Sequence, residues 1–74
     1  MNNLTAQAAI LIKLSTELKS LPVCKTGYPN NVSVWNRHKK AIPALIQTGA
    51  SEEEAAFMVS EICNQYYRPR RRAH

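Results

Sequence analysis

Leu4, Leu11, Leu14, Leu18 and Leu21 recur at alternating steps near three and four, with Gln7 in the one gap and Ile10 beside them. That rhythm lines one side of an α-helix. Asn3 is placed to cap its start, and Pro22 to end it, because the residue before a proline resists the α region. A first helix over about 3–20 follows. Ile12 falls off the stripe by about a third of a turn, beside Thr5, Thr16 and Lys19.

The next ten residues, Pro22 to Asn31, carry turn chemistry in Gly27, Pro29 and two asparagines. They predict a connection, with Val23 and Tyr28 packed beneath it or the segment mobile. A second apolar stripe then runs through Trp35, His38, Ile42, Leu45 and Ile46, with Asn36, Arg37 and Lys40 opposite. The helix predicted over about 32–48 can begin at Asn30, Asn31 or Ser33. Pro43 lies inside it and removes one backbone donor. The stripe keeps its phase across Pro43, which favours one kinked helix. A break at Ala41, with Pro43 in the first turn of a new helix, is the alternative.

The corner after it is the most legible stretch of the chain. Gly49 suits the left-handed residue that closes a helix. Ser51 and Glu54 have the spacing of a capping box, and Glu52, Glu53 and Glu54 sit where the positive end of a helix dipole favours acids. A third helix over about 51–67 turns Ala55, Met58, Val59, Ile62 and Tyr66 inward, with Cys63 at the edge. Phe57 points the other way, among Glu53, Glu54, Glu61 and Asn64. Arg68-Pro69-Arg70-Arg71-Arg72-Ala73-His74 has no apolar face and reads as a disordered basic tail. The expected fold is therefore all-α: one three-helix domain over residues 1–67, followed by the tail at 68–74.

Length and cysteine usage change this picture in one respect. A chain of 74 residues buries only about 60% of its unfolded surface, so its core is thin without help. Cys24 and Cys63 form no Cys-x-x-Cys pair, and no signal-peptide pattern opens the chain, which points to a reducing cytoplasm rather than a stapled secreted domain. No apolar run approaches the ~20 residues of a membrane span, so no membrane partner is expected. Self-association or a protein partner is the expected source of extra stability. The near-heptad spacing of the first helix suits pairing with a second copy.

The net charge of +5 is unevenly distributed. Arg37, Lys39 and Lys40 form one basic cluster, and Arg68, Arg70, Arg71 and Arg72 form another. Between them the only charges are Glu52, Glu53, Glu54 and Glu61. Two short-linked helices in a basic chain suggest a helix-turn-helix, whose second helix reads the major groove with its first residues. Here those residues are three glutamates, which would face phosphates. The clusters suit instead an acidic protein patch or phosphate contact that needs only charge.

Catalytic groups are scarce. His38 has no aspartate to orient it, and a nucleophile pair with Cys24 or Cys63 is weighed against their ordinary structural roles. Cys24, His38, Cys63 and His74 lack the paired spacing of a metal site. No catalytic residue, metal or cofactor is therefore expected. The interface candidates are the off-stripe Ile12 and Phe57, together with Trp35 and Met58. The function expected is a small non-enzymatic regulator that binds another protein, of inhibitor or antirepressor type, in the manner of modulators encoded by mobile elements such as phages. The protein partner is expected to be a regulator itself, and the chain a helical homo-oligomer. A basic nucleic-acid-binding regulator is the alternative.

Overall fold

A computed structural model of the chain describes residues 3–69. It holds three helices, α1 (Leu4–Lys19), α2 (Asn31–Gln47) and α3 (Glu52–Cys63). Each begins on a side-chain cap: Asn3 accepts from the Ala6 N–H, Asn30 from Val32, and Ser51 from Glu54. Glu54 completes the capping box by accepting from the Ser51 N–H at 3.1 Å. Gly49, at φ 104°, closes α2 in a Schellman motif, in which its N–H donates to the Ile46 carbonyl and that of Ala50 to Leu45.

The chain folds up, down and up. The Asn3 N–H donates to the Thr48 carbonyl at 2.9 Å, so α1 starts where α2 ends. Arg68 N–H donates to Asn31 Oδ1 at 3.0 Å, which brings the end of α3 back to the start of α2. α2 is the central element and packs most extensively on α3. Pro43 lies inside it without ending it, so α2 is one helix rather than two. Pro43 is exposed, and so is Lys39, whose carbonyl it deprives of a donor.

The core is built largely from small residues. Leu14, Leu18 and Leu45, Val34 and Val59, Cys63, and Ala41, Ala50 and Ala55 make it up. This rotates two of the expected faces. On α2 the buried positions are Val34, Ala41 and Leu45, while His38 and Ile42 are half-buried and Trp35 and Ile46 exposed. A stripe drawn through the largest side chains is pulled off axis, because tightly packed helices put small residues at the contact and large ones at its edge. On α3, Cys63 sits in the core rather than at its edge. Met58, Ile62 and Tyr66 pack against it, half-buried.

Three other expectations are corrected. Leu4 is exposed, as the first residue of α1 at the end of the bundle. α3 stops at Cys63, not near Tyr67. Asn64 to Tyr66 continue as turns with bonds from Gln65 to Ile62 and from Tyr66 to Cys63, the tightening common at a helix end. The 22–31 connection is a small hairpin. Val23 and Pro29 form an antiparallel bridge, Gly27 N–H donates to Cys24, Cys24 N–H donates to Tyr28, and Gly27 takes φ 86°. Val23 is exposed, Tyr28 is half-buried and Pro29 is buried. Of the basic tail, Arg68 is tied to α2 by its backbone. The expectation for Arg70, Arg71, Arg72, Ala73 and His74 lies outside the described residues.

Candidate interaction surfaces

The run Arg37-His38-Lys39-Lys40 is contiguous in sequence and divided in space. Successive residues of a helix turn by about 100°, so four in a row fan around it. Arg37 and Lys40 turn toward α1, where they meet Lys13 and Glu17. Arg37 Nε lies 4.0 Å from Glu17 Oε1, a long and partly exposed pair that contributes little. Lys39 is exposed on the other flank of α2. Arg68 lies at the opposite end of α3 from Glu52, Glu53 and Glu54, near the start of α2.

His38 turns inward between α2 and α3. Its Nδ1 lies 3.0 Å from the Tyr67 hydroxyl and its Nε2 3.5 Å from Ser60 Oγ. A neutral imidazole has one donor and one acceptor, so one hydroxyl donates to the ring and the other accepts from it. Burial lowers the His38 pKa, which favours this neutral form. Burial also raises Tyr67, with a smaller contribution from Cys63. The Cys63 thiol is pushed up to about 11 by burial and stays protonated at neutral pH. Neither cysteine hydrogen-bonds to His38, so the Cys–His pairs weighed from the sequence are not formed. Among the described residues, no three His, Cys, Asp or Glu side chains gather in a group that could hold a metal ion.

Trp35 leans on His38 from outside, with ring centroids 5.2 Å apart and planes tilted by 55°. Ile42 and Ile46 follow it at helical spacing on the same flank of α2. On α3, Phe57 stands one turn before Ser60. Trp35 is 51% exposed and Phe57 66%, the latter on the outer side of α3 among Glu53, Glu61 and Asn64. Ile12, 67% exposed, lies on the outer side of α1. Of the four interface candidates, Met58 alone packs against the core. Ile46 was missed as an exposed residue, since the sequence stripe placed it inward.

No protein-family model, curated protein or solved structure matches this chain. Its surfaces carry the functional reading by themselves. No helix among the described residues is long and apolar enough to cross a membrane.

A groove between α1 and α2 completes the surface. Its volume is about 140 Å³ and its floor is Ile10, Leu14, Ala41 and Ala44. Lys13 is its one lining cation that the charge clusters did not reveal. The signal that could have found it is the i, i+4 pair Lys13 and Glu17 on the flank of the Leu14 stripe.

Proposed function

We propose that this chain is a small non-enzymatic regulatory protein of the cytoplasm that acts by binding another protein, itself a regulator. It works as a helical homo-oligomer and as a modulator of inhibitor or antirepressor type, of the kind mobile elements encode. The observation that carries this reading is the exposure of three large apolar side chains, Trp35 and Ile46 on α2 and Phe57 on α3. Exposed aromatics of this size favour burial against a partner, since such residues are enriched in interface cores. A core made mainly of Ala, Val and Cys beside three leucines supports the same reading, because association adds the burial that a domain this small lacks.

The nucleic-acid alternative has less support. Of the Arg37–Lys40 run, Lys39 diverges from Arg37 and Lys40, and the cations that do converge share their groove with Glu17. Phosphate contact by Arg70, Arg71 and Arg72 is the form of it that does not depend on α2.

Sedimentation equilibrium on the intact chain and on Phe57→Asp and Ile12→Asp tests the proposal. The intact chain is expected to exceed a monomer's mass, and Phe57→Asp to return to it while keeping its helix content. A monomer at every concentration, combined with partner capture indifferent to Phe57→Asp, would end this reading.

A further inference from the structure

We infer, on the protein-binding reading above, that the groove between α1 and α2 is a docking site for an acidic amphipathic helix of a partner protein. The helix would seat one aliphatic side chain on the groove floor and set its carboxylates against Lys13, Arg37 and Lys40. Three features of the groove argue for this occupant.

The floor is apolar and open. Leu14 and Ala41 are buried at its base, while Ile10 and Ala44 are half-buried and remain in contact with solvent. The groove exists because α2 presents alanines at 41 and 44 where a larger residue would close it. Its volume of about 140 Å³ is close to that of a cavity that takes up benzene, about 150 Å³, and so matches one Leu, Ile or Met side chain. It extends from the Ile10–Ala44 end to the Glu17–Arg37 end. Seven residues of helix rise about 10 Å, so two turns of a partner helix fit its length.

The rim is cationic and largely uncommitted. Lys13 and Lys40 make no ion pair among the described residues, and Arg37 has only the 4.0 Å contact to Glu17. Side chains of this length reach over an apolar floor and leave their charges at its edge. Carboxylates one turn apart on a helix would meet cations on both walls, and a helix laid in an apolar groove is a recurring mode of recognition.

The lining also distinguishes protein from nucleic acid. Single-stranded nucleic acid binds by stacking its bases on aromatic side chains within a basic channel. No aromatic residue lines this groove, and an aliphatic floor gives a phosphate nothing. Trp35, His38 and Tyr67 group between α2 and α3 and none of them lines the groove, which is therefore separate from the exposed Trp35, Ile46 and Phe57.

The experiment uses the whole chain and defined probes. A synthetic peptide of about 15 residues, long enough to form a helix in the groove, carries a leucine stripe flanked by glutamates. A second peptide replaces each glutamate with lysine. Labelled single-stranded and duplex oligonucleotides form the third probe. Anisotropy measures binding, and amide shifts of the isotope-labelled chain locate it. The acidic peptide should bind and shift Ile10, Lys13, Ala41 and Ala44, and the lysine peptide should not. Lys40→Glu should weaken binding at least tenfold, which is about 1.4 kcal/mol. Ala44→Met should fill the floor and weaken it similarly, with far-UV circular dichroism unchanged.

Absence of binding by the acidic peptide would overturn the inference, as would equal binding of the lysine peptide. Oligonucleotide binding that shifts the same amides and is lost in Lys40→Glu would reassign the groove to phosphate. Acidic-peptide binding insensitive to both groove variants would end the groove inference and leave the protein-binding reading standing, since that reading is tested at Phe57.

Discussion

Leu45 and Ile46 are neighbours in α2, isomeric in side chain, and both apolar in a stripe that the sequence points inward. The structure separates them: Leu45 is 0% exposed and Ile46 37%. Replacing each with alanine removes the same three carbons, so the difference between the variants reports burial alone. For Leu45→Ala the transfer contribution, at about 0.8 kcal/mol per methylene-sized group, is about 2.4 kcal/mol. The cavity left in the core adds to it, giving a loss of about 3–4 kcal/mol. For Ile46→Ala part of the side chain already meets water and no closed cavity forms, so the loss is about 1 kcal/mol. Helix propensity moves both variants by only a few tenths, slightly in favour of Ala over the β-branched Ile.

The gap, at least about 2 kcal/mol, is large for this chain. A domain of this length has a total stability of about 4–11 kcal/mol, and each kcal/mol moves Tm by about 4–8 °C. Leu45→Ala should therefore melt about 8–16 °C below Ile46→Ala. Urea denaturation followed by far-UV circular dichroism gives both values, with equal slopes for the two variants. Equal losses, or a greater loss at Ile46, would refute the rotated face of α2. Running the same melts at two protein concentrations adds a second reading. Association that covers Ile46 makes the intact midpoint rise with concentration, and Ile46→Ala should reduce that rise while Leu45→Ala should not.

Gly49→Ala should cost about 1–2 kcal/mol, because φ 104° lies in a region that a Cβ disfavours, and Ser51→Ala about 1 kcal/mol through loss of the capping box; denaturant midpoints that do not move would contradict the corner. His38 is held below its usual value of about 6.5, so the unfolded chain takes up a proton first as pH falls. Stability should then decline as pH drops below 6.5 toward the lowered pKa, and His38→Gln should flatten that decline; parallel slopes in the two proteins would refute the assignment. Cys24 is exposed, whereas Cys63 is buried with its thiol raised to about 11. A thiol reagent should label Cys24 rapidly in the native chain and Cys63 only after denaturant, which mass spectrometry of the digested protein can check.

Local signals were the most legible in the sequence. Asn3, Gly49, Ser51 and Glu54 act within four residues of their partners, and each takes the role its chemistry predicts. The three helices and their order follow from those caps and from the apolar rhythm. What periodicity alone misjudges is where each stripe is centred. Trp35 and Ile46 weigh heavily in any hydrophobic average, yet the α2 contact is made by Val34 and Ala41, whose small size lets the helices approach. The α1–α2 groove was illegible for a related reason. It is a space left between Ala41 and Ala44 on one helix and Ile10 and Leu14 on another, and no stretch of sequence contains it.

Charge behaves in the same way, and here the consequence is functional. A run such as Arg37 to Lys40 looks like a patch when written as a line, but a helix spreads adjacent residues by about 100° each. Cations converge only when they lie three or four apart on one helix, or on facing flanks of two. Arg37 and Lys40 satisfy the first condition, and Lys13 meets them by the second. Lys39 satisfies neither, although it sits in the middle of the run. The same spacing admits Glu17, so the convergent set is a mixed rim around an aliphatic floor rather than a uniform basic stripe. A uniform stripe holds phosphates by charge and is indifferent to what lies beneath it. A mixed rim over an apolar floor discriminates, because a ligand must supply both carboxylates and a side chain to bury, and few ligands other than an acidic amphipathic segment supply both.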